Sequence, residues 1–409
     1  MNVIKKIYSF FFIILLLVAS PILIRYLLAN QKITILNSIY FNFPGIITKN
    51  KKCPTYDALL NQTLDESFSV SIINNKGEII SSYNDEVPRL PASNQKLFSS
   101  AYVLSKYKLN DNLKTSLFKK NKNNYYLHGQ GDPDLNYENI IELISNIKES
   151  KIINFNIVEI NSKLYWPNGW TNTDKHYEYG SPITSLAIES NHNKYEDIYA
   201  LKNFIKNYLK NKFPNSKVYI NFFDSEKTFY LKDIKEINKI YSTPILSLLT
   251  LTNSESHNFT AESLFKNASN TWKDNNYTKL KKWIENKGLP VTNTYFADAS
   301  GLSRKNKITT KLVALFLDKM RYSNNFQAFQ STLSIMGVRG TLAKRFVNSE
   351  LSGKFFGKTG TLSNVFALSG FLYKNEKPII ISIIQNSNNI NKEKAFKLLS
   401  DVYYLKSCK

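Results

Sequence analysis

The sequence predicts a mixed α/β (α+β) fold in which helices flank an antiparallel sheet and a second domain is inserted into the chain. Polar and apolar residues alternate on both sides of the turn Asn74-Asn75-Lys76-Gly77, which is typical of a β-hairpin. Three strand-like segments lie between 354 and 385, and a helical pattern follows at 391–405. Residues 125–238 have a different composition, dense in Asn, Tyr and Lys. We therefore expect the first hairpin and the last strands to share one sheet.

The predicted elements follow the chain in order. They are a helix at 55–63, strands at 67–73 and 78–83, a helix after Pro91 that carries Ser93 in its first turn, helical segments at 242–266 and 309–319, strands at 354–358, 365–373 and 378–385, and a closing helix at 391–405. The predicted domains are a signal peptide or membrane anchor at 1–30, a main domain at 31–124 and 239–409, and an inserted domain at 125–238.

Length and charge limit the classes of protein. The chain has 409 residues, of which 43% are hydrophobic, so it is long enough for an enzyme-sized globular body. Its formal net charge of +22 comes from lysines scattered among Asn and Ile, without a run of five basic residues. We therefore expect no nucleic-acid binding. Contact with anionic lipid or an anionic cell-wall polymer stays open, because charge alone decides neither.

The N-terminus has the pattern of an export signal. Lys5 and Lys6 precede 18 uncharged residues, Ile7 to Ile24. Pro21 disfavours cleavage just before it, whereas cleavage after Ala29 stays open. We expect an exported protein of the cell envelope or periplasm, and we favour an uncleaved membrane anchor at 7–24.

Cysteine and histidine are rare. Cys53 and Cys408 are the two cysteines, and in an oxidising compartment they could pair across the two ends of the folded body or remain as free thiols. The four histidines show no spacing typical of metal ligands, so we expect neither a metal centre nor another cofactor.

The stretch from Pro91 to Leu97 contains a candidate nucleophile. Ser93 and Lys96 are three residues apart, and on a helix this spacing places the hydroxyl beside the amine. A lysine can activate a serine in this way without a histidine. The same spacing occurs by composition at Ser105, Ser145 and Ser263, so the motif is weak alone.

Two later motifs strengthen this candidate. Ser256-His257-Asn258 and Lys358-Thr359-Gly360-Thr361 follow Ser93 in order, and Lys-Thr-Gly occurs once in the chain. The ordered set S-x-x-K, S-x-N and K-T-G resembles that of penicillin-binding proteins and serine β-lactamases. The matching flanking segments are Pro91 to Leu97, Gly129 to Leu135, Tyr179 to Asn191, Ser256 to Glu262, Asp298 to Arg304, Gly337 to Leu342, and Gly357 to Gly370. With these segments, the chain resembles the D-alanyl-D-alanine carboxypeptidase/endopeptidase family of class C low-molecular-mass penicillin-binding proteins.

The resemblance implies a fold like that of the penicillin-binding-protein and serine β-lactamase transpeptidase domain, and it implies a serine-type D-Ala-D-Ala carboxypeptidase or endopeptidase. Its substrates would be peptidoglycan stem peptides, and β-lactam antibiotics would acylate the same serine. Ser93 would be the nucleophile, Lys96 its base and Ser256 a proton relay. The substrate-binding residues would be Asn258, Lys358, Thr359, Gly360 and Thr361, and the oxyanion hole would consist of the backbone N–H groups of Ser93 and Thr361.

Some features depart from the family pattern or have two interpretations. The interval before Ser256 looks short for the two extra domains that the family usually carries, and His257 stands where the family commonly has Asp. Asp298 and Arg304 could be a structural turn and a surface cation, or site residues. For the aromatic cluster of the insert we favour core packing over stacking on sugars. Its members are Trp166, Trp170, Tyr177 and Tyr179.

Two other functions use the same features. A serine β-lactamase would share the residues around Ser93 but hydrolyse its acyl-enzyme quickly through an additional base, for which the sequence offers no candidate. A catalytically silent protein would hold peptidoglycan with the insert and the basic surface. The complete set of three motifs argues against the second alternative.

Overall fold

The computed structural model describes residues 53–192, 198–224, 234–374 and 376–405. Its strands are β1 (Phe68–Ile73), β2 (Ile79–Tyr83), β3 (Asn112–Lys119), β4 (Asn124–His128), β5 (Ile152–Glu159), β6 (Lys217–Asp224), β7 (Lys235–Pro244), β8 (Ser334–Ile335), β9 (Phe355–Leu362), β10 (Val365–Leu372) and β11 (Ile379–Asn386). Its α-helices are α1 (Pro54–Thr63), α2 (Gln95–Leu104), α3 (Tyr137–Ile144), α4 (Ile198–Lys212), α5 (Ile245–Ser254), α6 (Asn258–Ser269), α7 (Thr278–Glu285), α8 (Thr310–Arg321), α9 (Phe326–Ser331) and α10 (Lys392–Tyr404).

The main sheet has six strands in the order β2-β1-β11-β10-β9-β8, with antiparallel pairing throughout. The predicted hairpin is β1 and β2, which pair with Val70 opposite Tyr83. The C-terminal strand β11 pairs with β1, so both ends of the main body meet in one sheet, as the sequence predicts. All six residues of β1 are buried, because apolar layers cover both faces of the sheet.

The main sheet separates two apolar clusters. One face packs on α2, α5, α6, α7 and α8, with Phe98 of α2 against Phe316 of α8 at a ring distance of 4.6 Å. The other face packs on α1 and α10 through side chains such as Leu60 and Leu399. The prediction of an antiparallel sheet flanked by helices is therefore confirmed.

The helix that follows Ser93 lies in the middle of this structure. A short 3₁₀ turn, Ala92–Asn94, leads directly into α2, and all ten residues of α2 are buried. A helix can be enclosed on every side only where other elements surround it. The first turn of α2 therefore has a position fixed by the sheet on one side and by α6 and α8 on the other.

The predicted segments differ from the structure at two motifs. The predicted helix 242–266 is divided into α5 and α6, because Ser256 takes a left-handed backbone conformation with φ of +66°. The predicted strand 354–358 continues to Leu362 as β9, so the Lys-Thr-Gly motif lies inside a strand. It pairs there with β10, Thr359 lying opposite Leu368.

A second sheet has five strands in the order β6-β5-β4-β3-β7, and α3 and α4 contribute to the apolar cluster on one of its faces. Its strands lie between Asn112 and Pro244, and thus extend beyond 125–238 at both ends. After β5, residues 161–192 form short 3₁₀ turns that contact the main body, where the Trp170 indole donates to Asp298 Oδ2 at 3.0 Å. The division of the chain into domains stays a prediction.

Predictions about the two termini fall largely outside the described residues. The N-terminal segment 1–30 lies outside them, and no described helix is long and apolar enough to cross a membrane. Cys53 is fully buried before α1 and is disulfide-bonded. Cys408 lies outside the described residues, so its pairing with Cys53 stays a prediction.

Candidate active site

The Ser93 hydroxyl lies between two groups that can exchange a proton with it. Lys96 Nζ donates to Ser93 Oγ at 3.0 Å, and Ser256 Oγ donates to the same oxygen at 3.0 Å. The first contact is local, because the 3₁₀ turn and α2 place both side chains on one face. The second joins residues 163 positions apart. The structure thus brings together the first two motifs that the sequence predicts.

Lys96 has no exposure to solvent. Besides Ser93 Oγ, its amine contacts Asn258 Oδ1 at 2.5 Å and the Ser300 carbonyl at 2.7 Å. Burial lowers the pKa of Lys96 to about 7, although the carboxylates of Asp298 and Glu262 favour the protonated form. Near neutral pH a large fraction of this amine is neutral, and its lone pair can accept the proton of a serine 3.0 Å away.

The second cation of the site belongs to the third motif. Lys358 Nζ donates to Ser256 Oγ at 2.9 Å and to the Thr359 carbonyl at 2.9 Å, and the side chain is fully buried. Burial, and then the charge of Lys96, lower the pKa of Lys358 well below its ordinary value. Ser256 therefore connects two amines and the nucleophile in one network of hydrogen bonds.

Strand β9 passes very close to Ser93, the candidate nucleophile. A Cβ atom on Gly360 would lie 2.8 Å from Ser93 N and 3.0 Å from Pro91 O, so a glycine is needed for this approach. Gly301 also allows a close approach to this turn, because a Cβ atom on residue 301 would lie 1.9 Å from the Ala92 carbonyl oxygen. These two glycines hold the turn that carries Ser93 between β9 and the loop after α7.

A cavity of about 860 Å³ opens above Ser93. Thr359 and Thr361 of β9 line one side, and the Thr359 hydroxyl donates to Thr341 Oγ1 at 2.7 Å. The opposite wall comes from the loop that follows β5, with Asp174 and two tyrosines, and from Arg304. Asp174 Oδ2 is 3.5 Å from the Arg304 guanidinium, so this wall carries an ion pair.

Ser93, Ser256 and several threonine hydroxyls line the cavity, and the buried amines of Lys96 and Lys358 contact the two serines, an arrangement suited to acyl transfer. Within the described ranges, no group of three or more His, Cys, Asp or Glu side chains is placed to hold a metal ion.

Comparison with known proteins gives the same interpretation. A model of the D-Ala-D-Ala carboxypeptidase 3 (S13) family matches residues 57–212 and 224–401. The chain belongs to this family. It is 24% identical over 408 residues to D-alanyl-D-alanine carboxypeptidase DacB of Haemophilus influenzae, covering 76% of this chain and 84% of that protein. A D-alanyl-D-alanine carboxypeptidase of an Actinomadura species is 30% identical over 145 residues, 33% of this chain and 27% of its own length.

Solved structures support the fold. Penicillin binding protein 4 from Haemophilus influenzae superposes with a TM-score of 0.67 at 20% identity, over 85% of this chain and 98% of that structure. A predatory peptidoglycan endopeptidase from Bdellovibrio bacteriovorus gives a TM-score of 0.54 at 14% identity, over 82% and 90% of the two chains. The predicted penicillin-binding-protein-like fold is confirmed. As a member of the S13 family, the chain is a serine-type D-Ala-D-Ala carboxypeptidase that acts on peptidoglycan.

The carboxypeptidase has site residues that the sequence did not reveal. Tyr177 and Tyr179 are 55% and 47% exposed, and they stack on each other at the cavity with ring centroids 5.3 Å apart. The prediction of core packing is wrong for these two and right for Trp170, which is 5% exposed. The sequence does not indicate that Asp174 lines the cavity, because its loop has no helical or strand period that would show which side chains face inward.

Asp298 and Arg304 have different roles. Asp298 is fully buried and accepts from the backbone N–H groups of Gly301 and Ser303, so it shapes the loop rather than the cavity. Arg304 lines the cavity. The sequence left both interpretations open for each residue. In the structure Asp298 holds a turn, and Arg304 lies in the cavity wall.

His257 caps the start of α6. Its Nδ1 accepts from the Thr260 backbone N–H at 3.4 Å and lies 2.6 Å from Thr260 Oγ1, and its Nε2 lies 3.0 Å from His192 Nε2. Burial, and then the charges of His192 and Lys96, lower the pKa of His257 to about 4. The imidazole is therefore neutral at the pH values at which Lys96 loses its proton.

Replacement of His257 by Asp, the residue common in the family, should change the pH dependence of acylation. The acylation rate should rise with pH as Lys96 loses its proton, and this rise is the low-pH limb of the pH–rate profile. A carboxylate at position 257 favours the ammonium form of Lys96, so the low-pH limb should move to higher pH. The measurement is the rate of labelling by a fluorescent penicillin between about pH 5 and pH 9. The neutral cap in His257→Asn is the matched control and should leave the limb at its wild-type position. If the low-pH limb lies at the same pH in His257→Asp and His257→Asn, the charge at position 257 has no effect on Lys96.

Proposed function

We propose that the enzyme removes the terminal D-alanine of D-Ala-D-Ala peptides through an acyl-enzyme on Ser93. The observation that carries this proposal is the position of Ser93 Oγ, 3.0 Å from both Lys96 Nζ and Ser256 Oγ. Ser93 Oγ attacks the carbonyl carbon of the penultimate D-alanine, and its proton passes to the neutral amine of Lys96. Burial of that amine supports the role, because it lowers the pKa of Lys96 to about 7.

The negative charge that develops on the carbonyl oxygen needs donors. We assign this role to the backbone N–H groups of Ser93 and Thr361. The close approach of Gly360 to Ser93 N supports the assignment, since it brings β9 against the turn that carries the nucleophile. Donors fixed by a strand and a helix start need no reorganisation during the reaction.

The leaving D-alanine takes a proton through Ser256. As the C–N bond breaks, the Ser256 hydroxyl gives its proton to the departing amine and takes up the proton that Lys96 received from Ser93, so the Lys96 amine is neutral again. The contact of Ser256 Oγ with Lys358 Nζ at 2.9 Å supports this route. Water then cleaves the ester on Ser93 and releases the shortened peptide.

The two ends of the substrate meet different groups. Lys358, with the Thr359 and Thr361 hydroxyls, binds the terminal carboxylate, whose charge favours the protonated form of the Lys358 amine. Asn258 binds an amide on the acyl side, where its Nδ2 now donates to the Tyr179 carbonyl at 2.8 Å. The ion pair of Asp174 and Arg304 can contact polar groups further along the peptide.

We also propose that the enzyme is exported and held at the membrane by residues 7–24, outside the cytoplasm where peptidoglycan lies. The charged and then apolar N-terminal sequence supports this location. β-Lactam antibiotics would acylate Ser93, because their ring amide resembles the peptide bond that the enzyme cleaves.

Ser93→Ala should abolish covalent labelling by a fluorescent penicillin, because no oxygen remains at the position that both partners contact. Ser105→Ala is the matched control, since Ser105 also precedes a lysine by three residues but lies exposed at the end of α2. Labelling followed by mass analysis of the modified peptide measures both. Labelling that persists in Ser93→Ala would disprove the assignment of the nucleophile.

Lys96→Ala should lower the acylation rate by about two to four orders of magnitude, the contribution of a positioned general base. The protein should still bind the penicillin non-covalently, because the groups around Lys358 are intact. Stopped-flow acylation rates test this, with the melting temperature as a check on folding. A rate within tenfold of wild type would move the role of base to another group.

Product analysis should distinguish carboxypeptidase from endopeptidase activity. The purified enzyme is incubated with uncrosslinked pentapeptide muropeptides and with crosslinked dimers, and the masses of the products are determined. Release of D-alanine from the pentapeptide is the expected result. Cleavage confined to the dimer would make the enzyme an endopeptidase, and rapid steady-state hydrolysis of penicillin would favour a β-lactamase.

A further inference from the structure

A buried carboxylate lies behind Lys96, outside the set of residues that the proposed mechanism uses. Glu262 belongs to α6 and has no exposure to solvent. Its Oε1 accepts from the backbone N–H groups of Ala299 and Ser300 at 2.9 and 2.8 Å. Its Oε2 accepts from the Tyr277 hydroxyl at 2.8 Å. Three donors on one carboxylate favour its ionised form.

These contacts connect Glu262 to the site through the backbone of Ser300. Glu262 fixes the N–H group of Ser300, and the carbonyl of the same residue accepts from Lys96 Nζ at 2.7 Å. Asp298 holds the next peptide unit through the N–H group of Gly301 at 2.8 Å. Two buried carboxylates therefore fix two successive peptide groups, and the second of these groups carries the Ser300 carbonyl that accepts from Lys96.

The charge of Glu262 also acts on Lys96, because both groups are fully buried and charges interact more strongly in the low-dielectric interior than in water. Asp298 and then Glu262 raise the pKa of Lys96 against the larger effect of burial. A buried negative charge that interacts with this amine stabilises the ammonium that forms when Lys96 accepts the proton of Ser93.

We propose that Glu262 is a positioning residue for acylation. It fixes the Ser300 carbonyl that contacts the Lys96 amine, and its charge stabilises the protonated amine formed during attack by Ser93. The inference rests on the proposed role of Lys96 as the base. Glu262 itself touches neither the substrate cavity nor Ser93.

Other ionisable groups interact with Lys96 and Glu262. Lys358 of β9, Asp298 of the loop after α7 and His257 before α6 interact with Lys96, and Asp298, Lys266 and Tyr277 interact with Glu262. Burial and then Asp298 raise the pKa of Glu262, against hydrogen bonds from Ser300 and Tyr277 and the charge of Lys266.

The test is the pH dependence of penicillin acylation in Glu262→Gln. Glutamine keeps an acceptor for the two backbone N–H groups but removes the charge, so Lys96 should lose its proton more readily. We expect the low-pH limb to move to lower pH by about one unit, the effect of one nearby charge in a protein interior. A merely structural role would change the rate at every pH and leave the limb in place.

Glu159→Gln is the matched control, because Glu159 is also buried and accepts backbone N–H groups, at Ser185 and Leu186 of the loop after β5. The low-pH limb of Glu159→Gln should lie at the same pH as that of the wild-type enzyme. Tyr277→Phe is a second variant that introduces no new polar group. It removes one donor that favours the ionised form of Glu262, so the limb should move in the same direction by a smaller amount.

An unmoved limb, or one moved to higher pH, in folded Glu262→Gln would overturn the inference while leaving the role of Lys96 intact. If Glu262→Gln does not fold, an unmoved limb in Tyr277→Phe would have the same meaning. Absence of a low-pH limb in wild type would instead overturn the role of Lys96 and the inference with it.

Discussion

The burial of an amine beside the Ser93 hydroxyl is the constraint on which this structure depends. A charged ammonium group is costly to remove from water, so a fully buried lysine must have acceptors on every side or lose its proton. Lys96 has three acceptors at hydrogen-bond distance, and burial still lowers its pKa to about 7. The same burial that costs stability makes the group useful as a base near neutral pH.

Placing that amine inside the protein requires the rest of the architecture. Its side chain leaves from the second residue of α2, a helix whose ten residues are all buried. Such a helix needs a sheet on one side and further helices on the other, which is the arrangement around the first apolar cluster. The acceptors then come from distant segments, since Asn258 and Ser300 lie 162 and 204 residues away from Lys96.

The loop that follows β5 has an unexpected part in the site. It does not only connect strands of the second sheet, because it also supplies Tyr177, Tyr179 and Asp174 to the cavity wall. The Tyr179 carbonyl accepts from Asn258 Nδ2, and the Trp170 indole donates to Asp298. The main body and this loop therefore share hydrogen bonds around Lys96, and a change in the loop would reach the surroundings of Lys96 through Asn258 and Asp298.

The sequence by itself determined the features that are local or ordered along the chain. The spacing of Ser93 and Lys96 requires only one helical turn, and the hairpin and the last three strands follow from alternation over a few residues. The order of the three motifs, together with the segments that flank them, was enough to indicate the family. Only the tertiary structure decided the contacts of backbone carbonyls, such as that of Ser300. Every residue has a backbone carbonyl, so the residue type does not reveal which partner that carbonyl will meet. It also decided which aromatic residues of the irregular loop are exposed, since a segment without a helical or strand period does not reveal which side faces the protein.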